Sequence, residues 1–131
     1  MIVLDEQLLG RGIETLVARW YPGRVCFITD LRPGTIIKDE AIPALLHAER
    51  ECTFATINES DFWRKVAITA NFCVVCIAVP DDQADKVSEM LRAVLQIPAF
   101  RTKAGRSGRV IRATQDVTQF YDAANRVPRE P

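Results

Sequence analysis

The sequence has few of the residues that most readily reveal a function. Its 17 basic residues balance 17 acidic ones, so net charge does not indicate a nucleic-acid partner, and any electrostatic argument must rest on local clusters. Its only histidine, His47, lies among apolar residues of a predicted helix. There a solvated or core-edge ring is favoured over a catalytic base.

Cysteine is also too sparse to form a framework. Cys73 and Cys76 have the C-x-x-C spacing, but residues three apart in a strand point to opposite faces, and no nearby histidine completes a set of zinc ligands. We therefore predict four buried free thiols, which fit a reducing compartment. The four are Cys26, Cys52, Cys73 and Cys76.

Long apolar runs are absent. The longest, residues 72–79, is too short to span a bilayer, and the N-terminal residues reach a charge at Asp5, unlike a signal peptide. We therefore expect a cytoplasmic protein with no membrane partner. A chain of 131 residues has room for one domain.

Apolar strand-like segments alternate with helical patterns. A continuous stripe predicts a first helix over residues 8–20, and the strongest pattern predicts a helix over residues 87–95. This alternation predicts a three-layer α/β/α fold with a central, mostly parallel sheet. We expect one domain over residues 1–122, with a terminal strand pair at about 108–122 and a flexible tail over 123–131. The other strands are predicted at residues 2–4, 25–29, 53–57 and 72–79.

Acidic side chains follow the predicted strands. Asp5 follows the first strand, Asp39 opens the second helix, and Asp61 follows the third strand close to Asn58. Loops after the carboxyl ends of parallel strands share one functional edge of the sheet. Carboxylates that converge there without a cation repel each other, and Mg²⁺ or Mn²⁺ relieves that repulsion. Such clusters support phosphoryl transfer by metal-activated water.

Helix capping is the competing interpretation. A carboxylate just before a helix can accept hydrogen bonds from free amide groups, and for a single aspartate this is the more common role. Asp30 fits a turn residue and Asp82 a solvated acid. The aspartates that precede predicted helices are Asp5, Asp39, Asp61 and Asp81.

Three motifs in this sequence resemble the PIN-like ribonucleases, especially their compact bacterial members, some of which lie in toxin–antitoxin modules. The resemblance extends over residues 1–79 in order and spacing. It implies a sheet with the first strand central, an Mg²⁺ or Mn²⁺ cofactor and hydrolysis of RNA phosphodiester bonds. The motifs are Leu4-Asp5-Glu6-Gln7-Leu8, Asp39-Glu40-Ala41-Ile42 and Ala55-Thr56-Ile57-Asn58-Glu59-Ser60-Asp61-Phe62.

The resemblance also implies a role for each site residue. Asp5, Asp39 and Asp61 correspond to metal ligands, and Asn58 to the polar residue that begins the Asn-x-x-Asp-Phe turn. These four are the candidate catalytic residues. Some relatives have an aspartate near the position of Asn58, so this chain carries less charge there. Where some relatives have a fourth carboxylate after the fourth strand, this chain offers Asp81 or Asp82.

Basic residues gather between residues 101 and 112, a segment with no acid. Such a run can contact phosphate groups, and the alternative is a solvated loop and strand face. The predicted RNA-binding residues are Arg101, Lys103, Arg106 and Arg109.

Other acid-rich α/β proteins fit less well. A phospho-receiver needs an aspartate at the end of the third strand and a lysine at the end of the fifth, but Asn58 and the lysine-free segment 109–114 do not supply them. A haloacid-dehalogenase-type phosphatase needs Asp-x-Asp after the first strand, where this chain has Asp5-Glu6-Gln7. Gly10-Arg11-Gly12 lacks the preceding strand and the third glycine of a phosphate-binding loop.

The expected function is therefore that of a metal-dependent endoribonuclease, acting either alone or as the toxin of a toxin–antitoxin pair. Its expected partners are substrate RNA and an antitoxin protein, and a homodimer is left open. The alternative is a non-catalytic PIN-like domain that binds RNA or protein through a degenerate metal site. The asparagine at position 58 points toward that alternative.

Overall fold

A computed structural model describes residues 1–131 and shows a mixed α/β fold in three layers, as the sequence predicts. The sheet has the strand order β2-β1-β3-β4-β5-β6, with β1 to β5 parallel and β6 antiparallel to β5. The first strand therefore lies inside the sheet, between β2 and β3. The strands are β1 (Ile2–Leu4), β2 (Val25–Phe27), β3 (Cys52–Thr56), β4 (Phe72–Ile77), β5 (Arg109–Ala113) and β6 (Thr118–Asp122).

Helices connect the strands and cover both faces of the sheet. Short 3-10 turns lie at Glu6–Leu8, Ile28–Leu31, Asp39–Ala41, Asp81–Lys86 and Pro98–Phe100. The longest helix has 10 residues, and none combines the length and apolar character that a membrane crossing needs. The helices are α1 (Ile13–Ala18), α2 (Ile42–Ala48), α3 (Glu59–Phe62), α4 (Val87–Gln96) and α5 (Lys103–Arg106).

Two apolar cores lie on opposite faces of the sheet. Val75 packs in one core with Val17 of α1 and Leu91 of α4, whereas its neighbour Val74 packs in the other with Leu46 of α2. Every residue of β3 and β4 is buried, as expected for strands covered on both faces. The sheet is therefore a fixed platform for the loops at its two edges.

The cysteines follow the same alternation. Cys73 lies in one core and Cys76 in the other, and all four thiols are free and buried. Burial raises the pKa of the Cys73 thiol to about 12 and that of Cys52 to about 11. The two cysteines of the C-x-x-C spacing therefore point to opposite faces of the sheet, as their position in a strand predicts.

The first helix is shorter than the predicted 8–20 segment. Gly10 and Gly12 adopt left-handed backbone angles, with φ of +75° and +73°, and α1 begins only at Ile13. Glycine adopts this conformation without strain, so the pair ends the 3-10 turn and restarts the helix. The apolar stripe alone gave no indication of the break.

The last residues return to the sheet. For residues 123–131, predicted as a flexible tail, the structure shows Arg129 exchanging two backbone hydrogen bonds with Phe120, at 2.8 and 2.9 Å. The Arg129 guanidinium also pairs with Asp122 at 2.8 Å, and Arg64 donates to the carbonyl of Arg126. These contacts lay the segment along β6.

Candidate functional site

The carboxyl edge of the sheet brings together residues from three parts of the chain. Leu4 pairs with Ala55 in the parallel register of β1 and β3, so the two strands end side by side. The amide of Asp5 continues this pairing by donating to the Ala55 carbonyl at 3.0 Å. Asp5 is thereby positioned next to the loop that carries Asn58 and Asp61.

Asp5 is the buried member of the group, with 4% of its surface exposed. The Thr56 hydroxyl donates to its Oδ2 at 2.6 Å, and the same hydroxyl oxygen accepts from the Asn58 amide at 2.9 Å. Burial raises the pKa of the Asp5 carboxyl, the Thr56 hydrogen bond opposes that rise, and the charge of Asp39 adds to it. Thr56 therefore connects the buried carboxylate to the loop above it.

Asn58 and Asp61 form a fixed pair on the first turn of α3. The Asn58 Nδ2 donates to Asp61 Oδ2 at 2.7 Å, and the Asn58 Oδ1 accepts from the Asp61 amide at 3.3 Å. Asn58 is thus the N-cap of α3: its Oδ1 binds the Asp61 backbone amide, and its Nδ2 holds the Asp61 carboxylate in one orientation. A carboxylate at position 58 would instead repel Asp61.

Asp39 approaches Asp61 from the start of the second helical segment. Partial burial raises the pKa of the Asp39 carboxyl, and the negative charge of Asp61 adds to that rise. The two side chains also line one open cavity of about 400 Å³, which includes Lys65. Asp39 and Asp61 are exposed, so a ligand can reach them from solvent.

No basic side chain neutralises these three aspartates. The ion pairs of the protein are Arg11 with Asp81, Arg112 with Glu59, and Arg129 with Asp122. Burial is the main cause of the raised pKa values of Asp5 and Asp39, and repulsion from neighbouring carboxylates adds to it. A cation is the species that would remove this repulsion.

Capping does not account for these aspartates. Asp5 precedes the Glu6–Leu8 turn without a side-chain cap hydrogen bond, Asp39 follows the N-cap Lys38, and Asp61 lies inside α3. Capping through the N-cap side chain, favoured for each residue taken singly, is therefore not observed at any of the three, although Asp39 and Asp61 lie in the first turn of their segments, where a carboxylate interacts favourably with the helix dipole.

The donor set suits a hard divalent cation, because it offers carboxylate oxygens without thiolate or imidazole. Its spacing, however, does not by itself form a metal centre. No three or more His, Cys, Asp or Glu side chains lie close enough together to hold one ion. Asp39 and Asp61 approach closely, and Asp5 is coupled to Asp39 through its charge. The residues thus fit the cation in chemistry and stop short of a preformed three-ligand site.

The two further acids after β4 have no part in this group. The Asp81 carboxylate pairs with the guanidinium of Arg11 at 2.6 Å, and Asp82 is exposed without a hydrogen-bond partner for its side chain. Arg11 is positioned for this contact by the glycines on either side of it.

The predicted RNA-binding residues lie at the opposite edge of the sheet. Arg109 is the first residue of β5, and Arg106 is buried against Thr53 near the start of β3. A five-residue strand at about 3.3 Å per residue separates the two edges by at least 13 Å. Arg109 also lies over the ring of Phe120, at 4.8 Å from its centroid. The run precedes a parallel strand, which places it at the amino edge, away from the aspartates.

The sequence did not predict a role for two residues near the site. Thr56 belongs to the third motif and binds Asp5, and Lys65 lines the cavity of Asp39 and Asp61. A threonine at the buried end of a strand must find a polar partner, which is a usable signal for Thr56. The position of Lys65 depends on the turn that follows α3, and the spacing of apolar residues in the sequence does not predict the conformation of that turn.

Comparison of this chain with known protein families, characterised proteins and solved structures found no match. Its function is therefore argued from the arrangement of its own residues.

Proposed function

We propose that the chain is a PIN-like, Mg²⁺- or Mn²⁺-dependent endoribonuclease acting through Asp5, Asp39, Asp61 and Asn58. The observation that carries the proposal is the acidic group itself. Three aspartates from separate segments are coupled at the carboxyl edge, and none of them forms an ion pair with a basic side chain. Folded proteins rarely keep such repulsion without a function for it.

Each residue has a distinct role in this proposal. Asp39 and Asp61 hold the cation at the open cavity, and Asp5 contributes the buried charge beneath them. Asn58 and Thr56 position the Asp61 and Asp5 carboxylates through the hydrogen bonds described above. A bound divalent cation would supply a water activated for in-line attack on the phosphorus of the scissile bond. Lys65, on the cavity wall, is placed to contact a substrate phosphate.

The substrate and setting are part of the same proposal. An open, solvent-facing cavity suits a polymer such as single-stranded RNA better than a small enclosed substrate. We infer a cytoplasmic location from the four free thiols, which fit a reducing compartment. The resemblance to PIN-like toxins is the basis for an antitoxin partner, and a homodimer remains part of the hypothesis.

A second function has a specific observation in its favour. The Asn58 side chain is occupied by hydrogen bonds to Asp61 and Ser60. The acidic side chains do not form a three-ligand group. A PIN-like domain that binds RNA or protein without cleaving it fits this arrangement. The two functions differ in whether metal binding is followed by turnover.

The deciding experiment is a cleavage assay on an unstructured oligoribonucleotide with Mg²⁺, with Mn²⁺ and with EDTA. We expect metal-dependent cleavage that falls at least a hundredfold in Asp39→Asn and in Asp61→Asn. Asp82→Asn is the matched control, because it removes an exposed aspartate from the same edge. Metal binding by calorimetry without cleavage would support the binding function instead. Absence of both would reject the metal site.

A further inference from the structure

A second cavity lies at the amino edge of the sheet, away from the aspartates. Its volume is about 570 Å³, which is within the range of small-molecule sites. It lies between the end of α1, the last turn of α4 and the α5 segment. The residues that give it its chemistry are Trp20, Tyr21, Arg92, Arg101, Lys103 and Arg106, and no acidic side chain lines it.

The charge of this cavity is uncompensated. None of its four cations takes part in an ion pair, and the side chains of Arg92 and Lys103 make no hydrogen bond within the protein. In a chain whose acidic and basic residues are equal in number, four cationic side chains without an ion-pair partner around one cavity are a local excess of positive charge. An anion is the ligand that this excess favours.

Arg106 supplies a buried, fixed cationic group to the wall of the cavity. The residue is 4% exposed, its Nε donates to Thr53 Oγ1 at 2.8 Å, and its Nη1 donates to the Phe100 carbonyl at 3.1 Å. Its Nη2 has no partner in the protein, although the side chain lines the cavity. A buried guanidinium with one unused nitrogen is already oriented for a phosphate oxygen.

The other wall of the cavity is aromatic. Trp20 and Tyr21 are half-buried, with their rings edge to face at 6.1 Å between centroids. The Trp20 Nε1 donates to Ser88 at 3.0 Å, which fixes the indole. A β-carbon at Gly23 would lie 2.7 Å from the Tyr21 ring, so the glycine makes room for it. A planar heterocycle can stack on such rings.

We propose that this cavity binds a nucleoside phosphate, with the phosphate at Arg106, Arg101 and Arg92 and the base against Trp20 and Tyr21. The combination of cations on one wall and rings on the other distinguishes this ligand from inorganic phosphate, which needs no rings, and from a free nucleoside, which needs no cations. The site does not rest on the proposed nuclease activity, because it shares no residue with the acidic edge.

The test is calorimetric titration with AMP and ADP in the presence of EDTA, which removes any metal-mediated binding at the acidic edge. Adenosine and inorganic phosphate are titrated separately. We expect AMP or ADP to bind at least tenfold more tightly than either component, and sodium chloride to weaken the binding. In Trp63→Phe, the remaining tryptophan, Trp20, should change its emission on binding.

Variants locate the site. Arg92→Ala with Arg101→Ala should lower affinity for AMP or ADP at least tenfold, because both side chains are exposed and their loss leaves the fold intact. Arg32→Ala, an exposed arginine outside the cavity, should bind like wild type. No nucleotide binding at millimolar concentration, equal binding of phosphate alone or adenosine alone, or an unaffected double variant would each overturn the proposal. Binding of an oligoribonucleotide but not of AMP or ADP would also overturn it, in favour of a nucleic-acid surface.

Discussion

Replacing Asp5 by asparagine separates the roles of this residue more sharply than any other change. The asparagine side-chain oxygen can still accept the hydrogen bond from Thr56, so the buried contact survives. Only the charge is lost. In the metal-free protein this loss removes repulsion from Asp39 and a buried ionised group, both of which act against folding. We therefore expect Asp5→Asn to melt at or above the wild-type temperature without metal.

The size of the metal effect follows from the length of the chain. At a cation concentration of 100 times Kd, binding to the folded state alone stabilises it by about 2.7 kcal/mol. With an unfolding entropy of about 2.1 cal/mol/K per residue, a chain of 131 residues changes its Tm by about 10 °C for that energy. Wild type should approach this upward shift as Mn²⁺ is raised, and Asp5→Asn should show little of it.

The assay is a set of thermal melts with EDTA, Mg²⁺ and Mn²⁺, paired with cleavage of unstructured RNA. Asp82→Asn is again the matched control and should shift like wild type. A full Mn²⁺-dependent shift together with undiminished cleavage in Asp5→Asn would show that Asp5 is neither a ligand nor an electrostatic contributor. An absent shift in wild type at millimolar Mn²⁺ would remove the main support for the metal site.

Three further outcomes are expected from the same structure. Without metal, the free energy of unfolding should fall as the pH rises from about 3.9, the pKa of an unfolded aspartate, through the raised pKa values of Asp5 and Asp39, because the folded state holds those protons more tightly. Urea unfolding at several pH values should give a flatter pH dependence for the double variant Asp5→Asn/Asp39→Asn. The same pH dependence in wild type and the double variant would contradict this prediction. Thr56→Val removes a hydrogen bond to a buried charge and should cost about 1.5–3 kcal/mol. In the Asp5→Asn background the cost should be smaller, which a double-mutant cycle of urea unfolding measures, and equal costs would mean that the charge is irrelevant. Arg106→Met should destabilise the fold by about 2 kcal/mol or more, because it leaves the Thr53 hydroxyl and the Phe100 carbonyl without their hydrogen-bond donor. An unchanged free energy of unfolding in urea would show that these hydrogen bonds do not stabilise the fold.

The layers and the parallel sheet could be predicted because strands such as 72–77 are apolar throughout and helix α4 carries a clear stripe. The edge of the sheet at which Asp5 and Asp61 lie followed from the same pattern, since Asp5 comes directly after β1 and Asp61 lies in the short helix that follows β3. The break at Gly10 and Gly12 could not be read from the stripe, because backbone angles at two glycines override apolar spacing.

The roles of the polar residues were harder to predict. Motif spacing brought out Asp39 and Asp61, but the close approach of their side chains depends on side-chain orientation, which spacing does not encode. The position of the basic run relative to the acids could not be predicted from its composition. Its residues precede β5, and the direction of that strand, rather than local composition, sends Arg106 and Arg109 to the amino edge.

The hydrogen bond from the Asp5 amide to the Ala55 carbonyl has a dynamic consequence. It lies between interior strands, so its amide proton can exchange with solvent only when the sheet itself opens. Asp39 and Asp61 stand on a 3-10 turn and on a helix of four residues, whose amides can open by local fraying. The backbone of Asp5 therefore shares the lifetime of the folded sheet, whereas the segments that carry Asp39 and Asp61 open on a shorter timescale. Part of the free energy of ligand binding at this edge must be used to order the segments that carry Asp39 and Asp61. Hydrogen exchange at residues 38–42 and 59–63 should therefore slow on ligand binding, while exchange at the Asp5 amide follows only the global stability.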